Sequence, residues 1–313
     1  MIKSAKINGA HCVKFQKFIA DDYISKYAQK ANYQKNDRKV KKKTQLEIIR
    51  DCQLNTTQLK ILKRYSKKLN IDFLCTPFEV QSLKDLVKIG IKAIKISSCN
   101  LTNIPFLKEV AKTNLPVLLS TGMANFAEIK EAFNIFKKNK NPIIVFQCTS
   151  NYPANSDNAN IAVIKNFKKT FKCPIGYSDH TENNIPAILA VSYGAVVIEK
   201  HFTLSKKLPG IDQKASIEPH ELKKLVEETY QAKKSIGISK KVRSKEEINT
   251  MNSLRRSLVA GESLKKGTKL KKNMIKIKRP GIGLSTKNIN KIIGLTLKKN
   301  IKKDQLFKLG DFK

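Results

Sequence analysis

The sequence predicts an α/β protein: a (β/α)8-type barrel that lacks its first strand, followed by a small β-rich domain at the carboxyl end. Short apolar, β-branched runs alternate with amphipathic helical segments over most of the chain, which is typical of a parallel sheet. Each run ends in polar residues, as strands do at the edge of a barrel where its active site forms. The Gly-rich first turn that is typical of an open doubly wound sheet is absent from the sequence, which favours the barrel.

Seven strand-like runs can be counted, one fewer than such a barrel has. They span residues 12–16, 72–76, 93–97, 117–121 and 143–147, together with the two runs that end at His180 and His201. Residues 4–10 read as the end of a helix that stops at Gly9, which places a strand before residue 1. We therefore expect the first strand and most of the first helix to be missing from this sequence.

The pattern changes after residue 240. Residues 241–254 read as a charged linker. Residues 255–313 contain short β-like stretches separated by Gly-containing turns, which indicates a separate β-rich domain. The predicted organisation is thus a barrel domain over residues 1–240, the linker, and a small domain over residues 255–313.

The formal net charge of +37 raises the question of a nucleic-acid partner, since clustered Lys and Arg bind phosphates through counterion release. The excess is mostly Lys and is spread along the chain, for example at residues 39–43, 137–140 and 265–272. No recognition helix, aromatic stacking platform or compact Arg-rich motif accompanies it. We therefore predict a solvated Lys-rich surface without a nucleic-acid partner, whose field draws anionic substrates towards a basic cleft.

The chain shows no sign of a membrane or secretory segment. Its longest apolar runs are far shorter than the ~20 residues that a membrane-spanning helix needs, and no signal peptide is visible. The six cysteines have no CxxC spacing and mostly lie in or beside strand-like runs, where reduced Cys behaves as a small hydrophobe. These features predict a cytoplasmic protein with no membrane partner and no zinc ribbon.

Two histidines end neighbouring strands of the predicted sheet. His180 and His201 each follow a β-branched run, and residues 183–193 between them read as a helix. Because neighbouring strand ends lie about 5 Å apart, the two imidazoles can reach one divalent metal or one polar substrate group. The alternative is that each histidine, alone, caps a strand or fills a hydrogen-bonding slot.

Lysines and hydroxyls at the other strand ends suit a phosphorylated anion. The groupings are Lys14, Lys95 with Ser97 and Ser98, and Ser120-Thr121-Gly122. The alternative is that both lysines extend to the rim of the barrel. Asp212, in a polar loop after the last strand, could orient a substrate hydroxyl or protonate an oxygen, or it could simply belong to a turn.

Motifs over nearly the whole chain resemble the sialic acid synthase family. They are Val13-Lys14-Phe15-Gln16, Cys75-Thr76-Pro77-Phe78, Lys95-Ile96-Ser97-Ser98, Ser120-Thr121-Gly122-Met123-Ala124, Asn151-Tyr152-Pro153, Gly176-Tyr177-Ser178-Asp179-His180, Glu199-Lys200-His201-Phe202-Thr203, Asp212 with Ala215-Ser216-Ile217-Glu218-Pro219, and Lys278-Arg279-Pro280-Gly281-Ile282-Gly283. The matches occur in order along the chain, so chance agreement is a poor explanation for them.

The resemblance implies a TIM barrel followed by an antifreeze-like (SAF) domain. It also implies condensation of phosphoenolpyruvate with N-acetylmannosamine to give N-acetylneuraminate and phosphate. A divalent metal, Mn²⁺ or else Mg²⁺, would be held by His180 and His201 and would polarise the sugar aldehyde. The resemblance further implies a domain-swapped homodimer, in which the small domain covers the partner's barrel.

Roles for individual residues follow from the same resemblance. The phosphoenolpyruvate site would comprise Lys14, Thr76, Lys95, Ser98, Ser120 and Ser178. The sugar site would comprise Gln16, Tyr152, Asp212 and Arg279, the last acting from the small domain of the other subunit. Of all these residues, Lys14, Lys95, His180, His201 and Asp212 are expected to be catalytic.

The sequence departs from the family pattern in three places. The opening motif, which supplies a catalytic glutamate, is missing, so we expect the activity of this chain to depend on it. Asn100 stands where the family usually has a carboxylate, and Gln213 stands where a His is common. Two alternatives stay open: a synthase of a related acid such as N,N'-diacetyllegionaminate, which uses a differently acylated 6-deoxy sugar, or an inactive remnant.

Overall fold

The computed structural model describes residues 1–30, 42–210 and 212–313. The basic run at residues 39–43 lies mostly outside this part of the chain. The helices are α1 (Ile2–Ile7), α2 (Ala20–Tyr23), α3 (Gln45–Asp51), α4 (Thr56–Lys68), α5 (Val80–Lys88), α6 (Ile104–Ala111), α7 (Phe126–Lys138), α8 (Val163–Phe171), α9 (Ile185–Ser192), α10 (Pro219–Ile236), α11 (Lys245–Leu254) and α12 (Ile289–Ile292). The strands are β1 (Cys12–Lys17), β2 (Asp72–Pro77), β3 (Ile94–Ile96), β4 (Val117–Ser120), β5 (Ile143–Cys148), β6 (Ile175–Asp179), β7 (Val197–Lys200), β8 (Ser257–Ala260) and β9 (Ile275–Lys278).

The first seven strands form one parallel sheet whose spatial order follows the sequence order, β1 to β7. Helices connect them, as parallel pairing requires. The sheet curls on itself, because Lys14 on β1 and Glu199 on β7 form an ion pair with 2.8 Å between Nζ and Oε1. The predicted (β/α) barrel class, with seven strands, is therefore confirmed. No helix in the described ranges has the length and apolar content that crossing a membrane requires.

The barrel core lies between the sheet and its helices. Strand β3 is buried along its whole length. It consists of two isoleucines and Lys95. Helix α7 buries Ile129, Ala132, Phe133 and Phe136, the spacing that places side chains on one face of a helix. Each large side chain buried in this way stabilises the fold by about 1.5–3 kcal/mol.

Helix ends follow local capping chemistry. Helix α1 ends at Ile7, and Gly9 has φ of +92°, so the predicted glycine stop is confirmed. Helix α10 begins at Pro219, where the side chain of Glu221 accepts a hydrogen bond from the backbone N–H of Glu218 at 2.7 Å. It ends at Ile236, and the next residue, Gly237, has φ of +57°, which suits a residue without a side chain.

The chain divides into two compact units, residues 1–237 and 238–313. The second unit contains the antiparallel pair β8 and β9 and has its own hydrophobic core, which includes Leu258, Leu297 and Phe307. The stretch expected as a linker contains helix α11. The side chain of Ser244 caps this helix and pairs with Glu247 in a capping box, a signal that is visible in the sequence.

Candidate active site

The polar residues predicted at the strand ends line one cavity at the carboxyl edge of the parallel sheet. The lining comprises Lys14, Gln16, Thr76, Lys95, Ser97, Ser98, Ser120, Cys148, Tyr152, Ser178, His180, Glu199 and His201. Every predicted site residue is among them except Asp212 and Arg279. Because parallel strands all end at the same edge, residues far apart in the sequence meet here.

Alternation along the strands explains which side chains face the cavity. Residues two apart share a face of the sheet, and the residue between them points away. The cavity-facing pairs are Lys14 and Gln16 on β1, Ser178 and His180 at the end of β6, and Glu199 and His201 at the end of β7. Strand geometry therefore places a cation, a carboxylate and two imidazoles around one space.

Glu199 is the centre of the charged network. Its Oε1 lies 2.8 Å from Lys14 Nζ and 3.7 Å from Lys95 Nζ, and it accepts a hydrogen bond from Ser178 at 3.1 Å. Burial alone would raise the pKa of Glu199, but the two lysine charges hold it well below its usual range. The cavity is only about 30 Å³ because these side chains pair across it. An anionic ligand would have to replace Glu199 as the ion-pair partner of Lys14 and Lys95.

Lys95 is a fully buried cation. It donates a short hydrogen bond to the hydroxyl of Ser120, and its Nζ lies 5.0 Å from the centre of the Phe146 ring. Burial lowers the pKa of Lys95, and the nearby charge of Glu199 opposes that change. A buried lysine whose main counter-charge is a single carboxylate is suited to binding an anion.

The two histidines lie together, with ring centres 5.4 Å apart, and the ring of Tyr152 packs against both. His180 Nδ1 lies 2.7 Å from the carbonyl oxygen of Thr149. A carbonyl only accepts, so Nδ1 carries the proton and Nε2 keeps a free lone pair when the ring is neutral. Burial and the charge of Lys14 lower the pKa of His201 to about 3, so its imidazole is neutral at pH 7.

This donor set fits a divalent transition metal in part. Imidazoles are suitable ligands when they are neutral, and the Thr149 carbonyl orients His180 as a second interaction around a metal site does. Within the described ranges, no group of three or more His, Cys, Asp and Glu side chains could hold an ion. Of the lining residues, His180 and His201 are the side chains that would hold such an ion.

Asp212 and Arg279 lie outside the cavity lining. Asp212 Oδ2 is 3.6 Å from Nδ1 of His201, beyond hydrogen-bond distance, and its side chain is partly exposed. Burial raises the pKa of this carboxyl. Arg279 directly follows β9, which belongs to the second unit. The structure thus brings Asp212 close to the site, whereas Arg279 belongs to the other unit.

Two lining residues were not predicted to have a role: Cys148 and Glu199. The signal for Glu199 is its position two residues before His201 on one strand, since such residues share a face. Cys148 is the last residue of β5, and its Sγ lies 3.9 Å from Nδ1 of His180. Read with the same alternation, the carboxyl ends of β5 and β7 would have indicated both residues.

Asn100 and Gln213, the two side chains that depart from the family pattern, make contacts with the backbone. Asn100 is buried, and its amide donates to the carbonyl oxygen of Phe78 at 3.1 Å, a bond that a carboxylate could not donate. Gln213 donates to the carbonyl oxygen of Pro209 at 3.2 Å. Neither side chain lines the cavity, so both hold local backbone in place.

Comparisons with known proteins show the family to which the chain belongs. Residues 1–241 match the profile of the NeuB family, and residues 255–313 match that of the SAF domain. The chain is 41% identical to the N,N'-diacetyllegionaminic acid synthase of Campylobacter jejuni, over 98% of this chain and 93% of that one. It is 36% identical to the synthase of the same name from Legionella pneumophila, over 96% and 86% of the two chains. A crystal structure of N-acetylneuraminic acid synthetase from Leptospira borgpetersenii superposes with a TM-score of 0.70 and 37% identity, covering 81% of this chain and 85% of that one. The chain therefore belongs to the NeuB family.

Proposed function

We propose that this chain condenses phosphoenolpyruvate with an N-acylated amino sugar, giving a nonulosonic acid and phosphate. The observation that carries this proposal is the pairing of Lys14 and Lys95 around one carboxylate at the floor of a hydroxyl-rich cavity. The two legionaminic acid synthases similar to this chain favour the differently acylated 6-deoxy sugar over N-acetylmannosamine. N-acetylneuraminate synthesis stays the second candidate, because the Leptospira enzyme is 37% identical.

The phosphate and carboxylate of phosphoenolpyruvate would replace Glu199 as partners of the lysines. Lys14 and Lys95 supply charge, and the hydroxyls of Ser98, Ser120 and Ser178 supply donors, while Thr76 adds a further hydroxyl at the end of β2. Once they are paired with the ligand, these groups would stabilise the negative charge that grows on the phosphate as its carbon–oxygen bond breaks.

The sugar would bind on the histidine side of the cavity. His180 and His201 would hold a divalent ion, Mn²⁺ or Mg²⁺, which when bound supplies Lewis-acid polarisation of the sugar aldehyde. Gln16 and the Tyr152 hydroxyl would hydrogen-bond to the sugar, and Asp212 would hold or donate a proton at one of its oxygens. In the proposed domain-swapped homodimer, Arg279 would meet the sugar bound in the partner's barrel.

The test is phosphate release from phosphoenolpyruvate in the presence of Mn²⁺, with each of the two sugars in parallel. The chain as given is compared with a version that carries an added first strand and its glutamate. Turnover with the 6-deoxy sugar exceeding that with N-acetylmannosamine supports the legionaminate assignment, and the reverse supports N-acetylneuraminate. Release with neither sugar in either version would overturn both sugar assignments and point to another sugar or to the remnant.

A further inference from the structure

A buried ion pair lies next to the two histidines in sequence and in space. Lys200 Nζ is 2.6 Å from Asp179 Oδ2, and the two side chains are 3% and 0% exposed. Asp179 and Lys200 are register partners on the last rung between β6 and β7. His180 and His201 follow them by one residue, so the ion pair and the imidazoles take opposite faces of the same strand ends.

This pair holds the chain on both sides of His180. Oδ1 of Asp179 accepts hydrogen bonds from the backbone N–H of Thr181 at 2.9 Å and from its hydroxyl at 2.8 Å. Lys200 Nζ donates to the carbonyl oxygen of Thr181 at 2.6 Å. One lysine, on the strand that carries His201, therefore contacts both the residue before His180 and the residue after it.

We propose that Asp179 and Lys200 are a positioning pair that fixes the two imidazoles relative to each other, a role that rests on the proposed function above. The pair sets the spacing of the strand ends, and the contacts to Thr181 set the backbone direction at His180. Together they keep Nδ1 of His180 on its carbonyl partner and Nε2 turned away from it. Neither residue lines the cavity, so both act through the histidines.

Stability alone is a weak reason for such a pair. Removing two charges from water costs about as much as their attraction returns, so neutral side chains of similar volume often replace a buried pair without loss. Asp179→Asn with Lys200→Met keeps the shape of both side chains and an oxygen that can accept from Thr181. This double variant should fold, yet it lacks the ion pair that joins β6 and β7.

The first readout needs no metal: nitrogen NMR of the imidazoles in the metal-free protein at alkaline pH, where neutral rings report their tautomer. The chain has four histidines, and His11 and His220 are exposed internal controls. We expect His180 to be a single Nδ1-protonated tautomer in the parent and a mixture in the double variant, with the two controls unchanged. Lys200→Met alone leaves Asp179 three hydrogen-bond donors and should shift the same signal.

The second readout is Mn²⁺ affinity by electron paramagnetic resonance, which should fall 10–100-fold in the double variant, the usual cost of losing an outer partner of a metal ligand. Leu107→Ala, a core change in α6, is the control for lowered stability and should leave both readouts unchanged. Parent-like tautomers and Mn²⁺ affinity in the double variant would overturn the positioning role. If the parent neither binds Mn²⁺ nor releases phosphate while the His180 signal still shifts, the proposed function fails and the positioning role stands.

Discussion

Replacing Glu199 by Gln tests the charged network directly. The substitution keeps the size of the side chain and an oxygen that can accept from Ser178, but it removes the charge that faces Lys14 and Lys95. Both lysines then share a small cavity without a carboxylate. Lys95 is 2% exposed and bears most of this change, whereas Lys14 is 22% exposed and retains some hydration.

The size of the effect follows from burial. Removing one partner of a buried ion pair costs about 3–5 kcal/mol. The neutral hydrogen bonds that Gln keeps return about 1 kcal/mol, so we expect a net loss of about 2–4 kcal/mol. For a unit of this size, that loss lowers the midpoint of thermal unfolding by roughly 5–15 °C.

Phosphoenolpyruvate should reverse part of this loss. Its charges would meet the two lysines, so the ligand should raise the unfolding midpoint more in Glu199→Gln than in the parent. Because the folded-state pKa of Glu199 is depressed, its contribution is full above the unfolded value of about 4.3 and fades as pH falls towards the folded value. The difference between variant and parent should therefore be constant near neutral pH and shrink in acid.

Glu221→Gln is the matched control. Glu221 pairs with Lys206 at 2.7 Å, but the two side chains are 29% and 38% exposed. Exposed pairs of this kind contribute about 0–1 kcal/mol, and Gln keeps the hydrogen bond to the start of α10. Equal losses in the two variants, or an equal effect of phosphoenolpyruvate on Glu199→Gln and on the parent, would refute the argument.

Three further predictions concern the proposed reaction. His180→Ala or His201→Ala should weaken Mn²⁺ binding at least tenfold and abolish phosphate release, measured by calorimetry and a phosphate assay, and unchanged turnover in both would remove the metal assignment. Mn²⁺ affinity should fall as pH decreases, because a protonated imidazole cannot bind the ion. Protonation of His180 should cause this loss first: burial lowers its pKa, but Cys148 and the Thr149 carbonyl raise it above the usual value. His201 stays neutral down to about pH 3. Arg279→Ala should mainly raise the KM for the sugar, and mixing it with His201→Ala should restore activity if Arg279 acts across subunits; no recovery on mixing argues for action within one chain.

The strand-end chemistry was predictable because alternation along a strand is a strict geometric rule. Lys14, Lys95 and His180 could be assigned to one cavity once the runs before them were read as parallel strands. Glu199 was missed because it adjoins a lysine, and a carboxylate beside Lys200 reads as a surface pair until its face is compared with that of His201. Its ion pair with Lys14 joins residues that are 185 apart along the chain, which local patterns do not encode.

Other features were present in the sequence but were read differently. Helix α11 occupies the predicted linker, and its start at Ser244 with Glu247 is a recognisable capping signal that the high charge of the segment obscured. The role of Asn100 needed the structure, because its partner is a backbone carbonyl of Phe78 in another segment. Contacts between a side chain and distant backbone carry no sequence signal of their own.

The two units have separate hydrophobic cores, and that separation concerns how such proteins change over generations. Among the described residues, Phe307 and Phe136 belong to different cores that have no buried residue in common, so a substitution that repacks one core does not directly change the other. Lys14, Lys95 and the two cavity histidines belong to the first unit, whereas Arg279 belongs to the second. A lineage could therefore exchange or tune the module that carries the arginine while leaving the phosphate-binding and imidazole groups intact. Under the proposed function, sugar preference would then change independently of the lysines and histidines of the first unit.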